Sequence, residues 1–81
     1  MRAYVLIETA AGKTKSVKVG LSKLRGSAVS VRELDAVTGP FDFIAVIEAS
    51  NLDAIGRLVT DEIGSIDGVT RTTTCLAVSI G

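Results

Sequence analysis

Two runs, Ala3-Tyr4-Val5-Leu6-Ile7 and Phe43-Ile44-Ala45-Val46-Ile47, are apolar at every position. A strand sends successive side chains to opposite faces, so each run, read as a strand, puts apolar groups on both sides of its sheet. Helices can cover one side. In a chain of 81 residues there is little left to cover the other, and a second chain is the natural candidate. Each run is far short of the roughly 20 apolar residues that span a bilayer, so no membrane segment is expected. With 47% hydrophobic residues and nine basic against nine acidic ones, the composition belongs to a compact fold rather than a disordered chain or a general polyanion binder. The first run starts too early for a signal peptide to precede it, which points to a cytoplasmic location.

The rest of the chain supplies the helices. After Ala10-Ala11-Gly12, residues Lys13 to Arg25 carry Val17, Leu21 and Leu24 at helical spacing, with lysines on the other side and Gly26 as a stop. Residues Ala28 to Val37 read as a second strand, closed by Thr38-Gly39-Pro40, and Asp42 to Ala49 as a third, forming a hairpin. Ser50-Asn51 offers N-cap oxygens to a second helix marked by Leu52, Ile55, Val59, Ile63 and Ile66, ending towards Asp67-Gly68. The threonine-rich stretch Val69 to Ile80 reads as a long fourth strand, with Cys75 as a small buried thiol.

The order is βαββαβ, an α+β, ferredoxin-like split βαβ duplication: a four-stranded antiparallel sheet with both helices on one face. Phe43, Ala45 and Ile47 then oppose Ile44 and Val46, while Val5 and Ile7 oppose Tyr4 and Leu6. One set packs under the helices. The other leaves more apolar surface in water than a soluble monomer usually exposes, so we expect a dimer joined sheet to sheet, a dimeric α/β barrel or sandwich, through Tyr4, Leu6, Ile44 and Val46.

The chain has no histidine, which removes His-based general-base catalysis, Ser-His-Asp and Cys-His arrangements and histidine metal sites; no metal or cofactor is expected. Phosphate-cradling glycine loops are also missing. Glu8 and Glu48, read as ending adjacent parallel strands, form a conceivable carboxylate pair, or two solvent-facing strand ends. The basic block Lys13, Lys15, Lys18, Lys23, Arg25 and Arg32 has no interleaved aromatics to stack bases, and reads as a solvated helix face rather than a nucleic-acid site.

Gly39-Pro40-Phe41-Asp42 has two readings. It is a hairpin turn in which Asp42 caps backbone amides, or a site where glycine amides receive a carboxylate and Asp42 receives an ammonium, the two ends of a free amino acid. Thr72-Thr73-Thr74 alternates hydroxyls between the two faces of the last strand, explained by β-propensity or by a polar site.

Together, TGPFD before an apolar strand, Asn51-Leu52-Asp53 opening a helix and Ile66-Asp67-Gly68-Val69-Thr70-Arg71-Thr72-Thr73-Thr74 resemble the C-terminal effector (RAM) domain of the Lrp/AsnC transcriptional regulators, over essentially the whole chain, 1–81, as one domain. The resemblance implies a non-enzymatic module that binds amino acids or related small metabolites, with dimers assembled into rings and ligands held between dimers. Gly39, Pro40, Phe41, Asp42, Thr72 and Thr74 match the family's ligand-binding positions; Pro40 lacks an N–H to offer. Family regulators carry a helix-turn-helix that this sequence lacks, so direct nucleic-acid binding is not carried over, and full-length family members become possible partners. The alternatives are a purely structural assembly domain, or a small dimeric α/β-barrel enzyme working from an enclosed polar cavity with a group such as Tyr4.

Overall fold

The computed structural model describes residues 1–24 and 29–81. Its elements are β1 (Arg2–Thr9), α1 (Thr14–Ser22), β2 (Val29–Ala36), β3 (Phe43–Ala49), α2 (Leu52–Arg57) continuing as a π-helical turn over Leu58–Ile63, and β4 (Val69–Leu76). The sheet order is β2-β3-β1-β4 and every neighbouring pair is antiparallel. This is the expected ferredoxin-like arrangement.

Strand periodicity decides where the core sits. Ala3, Val5, Ile7, Phe43, Ala45 and Ile47 are buried in one cluster with Val17 and Leu21 of α1 and with Ile55, Leu58 and Ile63 of the second helix. Their alternates Leu6, Ile44 and Val46 remain half-buried and Tyr4 is 37% exposed, because none of the described residues covers that side. The first helix packs closely on the turn that leads into β4: a Cβ on Gly20 would lie 3.0 Å from Ile66 Cγ2. Gly68 is tighter still. Its φ is +101°, and a Cβ there would come within 2.7 Å of Lys13 Cβ and 2.9 Å of Val17 Cγ2, so only glycine lets β4 start under α1.

Several boundaries differ from expectation. The first helix ends at Ser22 rather than Arg25; Leu24 is still buried, in the turn that follows, and the expected stop at Gly26 lies outside the described residues. At Asn51 the expected cap forms, its side chain accepting from the Ala54 amide at 2.8 Å. That second helix loses its α-helical ladder after Arg57, and the Gly64 amide bonds the Val59 carbonyl at 2.8 Å, an i to i+5 closure. The fourth strand stops at Leu76, four residues short of Ile80, because β1 runs out beside it. Met1 pairs with Ala49 on the β3 side, and the last bond to β4 runs from the Ala77 amide to the Arg2 carbonyl at 2.9 Å.

Candidate functional site

The hairpin between β2 and β3 turns at Gly39, whose φ is +116° and whose surroundings are open, with nothing within 4 Å of a would-be Cβ. The Val37 amide bonds the Asp42 carbonyl at 2.9 Å, and the Asp42 amide bonds the Ile7 carbonyl at 2.8 Å, so the turn is stitched to both neighbouring strands. Asp42 is half-buried, and its Oδ2 accepts from the Thr9 amide at 2.7 Å. Asp42 thus holds a backbone amide, but one at the end of β1 rather than an amide of its own turn. Its second carboxylate oxygen has no partner among the described residues, and neither the Gly39 nor the Phe41 amide donates to another group there. One anionic oxygen and two main-chain donors thus remain at a single exposed turn.

The threonines stand elsewhere. Thr72 is in register with Ile7 and Thr74 with Val5 on β4, while Phe43 and Ala45 flank the same residues from β3. Two strand spacings, roughly 10 Å, separate Thr72 from the turn. By that register both threonines project on the helix side of the sheet, Thr72 half-buried and Thr74 exposed at the uncovered edge. Thr73 faces the open side opposite Leu6. One chain does not bring the turn and the two threonines together.

The open face has a definite pattern. Tyr4 lies opposite Val46 and Leu6 opposite Ile44, so the four residues expected at a dimer contact form one contiguous apolar centre. Glu33 and Asp35 flank it on β2, Thr73 and Cys75 on β4. Cys75 is exposed, contrary to the buried thiol expected, because an edge strand of an uncovered face shelters nothing. At one end, Glu48 receives Arg32 Nε at 2.6 Å and Arg2 at 3.3 Å. Arg32 first and Arg2 second hold the Glu48 carboxyl below its ordinary value. At the other end Glu8 faces Arg71 at 4.0 Å.

The Glu8 and Glu48 pair does not exist. Strands β1 and β3 are antiparallel, Glu48 is in register with Arg2, and the six-position offset from Arg2 to Glu8 puts the carboxylates about 20 Å apart. The basic block also divides. Lys13 pairs with Asp67 at 3.2 Å, Arg32 belongs to the sheet, Arg25 lies outside the described residues, and Lys15, Lys18 and Lys23 are exposed around α1. Among the described residues no cluster of potential metal ligands is found, and no helix is long and apolar enough to cross a membrane.

One feature escaped the sequence reading. An open groove of about 510 Å³ lies along the solvent side of the second helix, lined by Leu52, Asp53, Gly56, Arg57, Thr60 and Asp61. The available signal was Gly56 in mid-helix, where nothing lies within 4 Å of a would-be Cβ.

Comparison with known proteins adds to this geometry. Residues 2–80 match the family described as the Lrp/AsnC ligand binding domain. No curated protein sequence matches the chain significantly. Among solved structures, TTHA0845 from Thermus thermophilus is 30% identical, with a TM-score of 0.84 over 99% of this chain and 95% of that one. AsnC of E. coli superposes equally well at a TM-score of 0.84 and 20% identity, over 98% of this chain and 51% of its own. A Neisseria meningitidis transcriptional regulator, NMB0573, solved as a complex with L-Met, gives 0.80 at 18% identity, over 96% of this chain and 49% of its own. This chain thus spans about half the length of those two regulators.

Proposed function

The chain belongs to the Lrp/AsnC ligand binding domain family, and from that premise we propose that it is a non-enzymatic module of transcriptional regulation that binds an amino acid or a closely related metabolite and assembles through its sheet. The observation that carries the reading is the exposed turn. Main-chain donors at Gly39 and Phe41 suit a carboxylate, and the free oxygen of Asp42 suits an ammonium. A Neisseria meningitidis regulator of the same fold was solved with L-Met, which supports an amino acid as the ligand class. Thr72 and Thr74 join the turn only if they come from a neighbouring copy, in keeping with ligands held between subunits.

The sheet contact follows from the apolar centre formed by Tyr4, Leu6, Ile44 and Val46. Burying about 1,000 Å² of such surface offers on the order of 25 kcal/mol gross, enough to outweigh typical association and ordering costs. Longer family members present a candidate for the same face, so co-assembly with full-length regulators is part of the proposal. A purely structural assembly domain would keep the contact and ignore amino acids.

Thermal unfolding against the twenty amino acids, with sedimentation of the same samples, tests both halves. We expect a selective rise in melting temperature and a multimer that Ile44→Asp dissociates. Indifference to all twenty would sink the sensor reading, and an unaltered sedimentation profile for Ile44→Asp would sink the sheet contact.

A further inference from the structure

The fourth strand carries a second unfinished surface. Beyond the last ladder bond, Leu76, Val78 and Ile80 repeat at every second position and are 39%, 77% and 95% exposed. That alternation belongs to a strand with a covered side, yet among the described residues no strand pairs with the outer edge of β4, and no ladder reaches Val78 or Ile80. The Ala77 amide points inward to Arg2, so the amides and carbonyls of Thr74 and Leu76 point outward along the free edge, and a strand continued through the tail would send those of Val78 and Ile80 the same way.

The sheet's two edges are not alike. On β2 the edge carries a register irregularity between Val31 and Glu33 and the charges Arg32, Glu33 and Asp35, devices that discourage pairing. Thr74-Cys75-Leu76-Ala77-Val78-Ser79-Ile80 has no charge, no proline and no irregularity, and is rich in strand formers. It is also self-complementary. Laid antiparallel on a second copy about Ala77, Leu76 meets Val78, Thr74 meets Ile80 and Cys75 meets Ser79, with the apolar pair Leu76–Val78 at the centre and both Arg71 side chains beyond the paired stretch. The outward-pointing residues fall on the hydrogen-bonded positions, each pair exchanging two bonds.

We propose that residues 74–80 pair with the same residues of a second copy, joining two sheets edge to edge into one continuous sheet. This interface is distinct from the open sheet face and leaves it free, so the two together build assemblies larger than a dimer. Val78 supplies the test. Its N–H makes no bond among the described residues, so Val78→Pro removes an outward donor while the Ala77 bond to Arg2 stays intact.

The experiment combines light scattering with amide hydrogen exchange on the full chain, wild type against Val78→Pro, Val78→Lys and Ile44→Asp. We expect concentration-dependent protection of the Leu76, Val78 and Ile80 amides, and a mass halved in both Val78 variants with unchanged circular dichroism. Unprotected amides in the wild type, or masses equal to wild type in both folded Val78 variants, would overturn the edge contact whatever Ile44→Asp does. Mass loss in Ile44→Asp alone leaves only the sheet-face contact standing, so the two proposals fail separately.

Discussion

Asp42 is tied into the fold, and the proposed site would give the same carboxylate a second task. Its Oδ2 closes on the Thr9 amide at 2.7 Å, so truncation strands that half-buried donor and costs about 1–2 kcal/mol. Asparagine keeps a carbonyl oxygen for Thr9 but loses the charge that would attract an ammonium. Asp42→Asn should therefore unfold within about 1 kcal/mol of wild type and lose most of its stabilisation by an amino acid, whereas Asp42→Ala should lose both. Chemical denaturation with and without ligand checks this, and an Asn variant that still responds fully would remove Asp42 from the site. The sequence pointed to this carboxylate because glycine, proline and aspartate are turn residues with known geometry. Its partner Thr9 was not legible, since that contact spans 33 residues and exists only once β1 and β3 are paired.

At the scale of elements, local pattern and neighbour supply diverge. Periodicity located both helices and all four strands, and it separated Val5 from Leu6 and Phe43 from Ile44 correctly. The length of β4 failed because a strand lasts only as long as its neighbour, and nothing local in Val78 or Ile80 says that β1 has ended. Cys75 failed for a related reason: β-propensity cannot tell an edge from a centre. The carboxylate pair failed on strand direction, which antiparallel pairing reverses. The second helix raises a separate point. A mid-helix glycine costs stability, and Gly56 has no close contact among the described residues that demands it. Gly56→Ala should raise stability by about 0.5–1 kcal/mol in the isolated chain. Thermal unfolding decides it; a loss instead would mean that the groove beside Gly56 is occupied in the assembled protein.

For the molecule as a whole, the layout of the proposed site would link binding to assembly. The turn at Gly39 and the hydroxyls of Thr72 and Thr74 sit two strand spacings apart, and the threonines open onto an edge that neither described helix covers. A ligand touching both sets must bridge two copies. Binding and association then share one free energy, and each strengthens the other by the same factor. At protein concentrations where assemblies are partly dissociated, an amino acid that raises the melting temperature should also raise the mass seen by light scattering. Its apparent affinity should rise with protein concentration. Thr72→Val with Thr74→Val should weaken both effects together while leaving the fold intact, because neither hydroxyl bonds another group among the described residues. A ligand that stabilises the protein without moving its mass would place the whole site within one copy at the Gly39 turn, and the threonines would then be strand residues only.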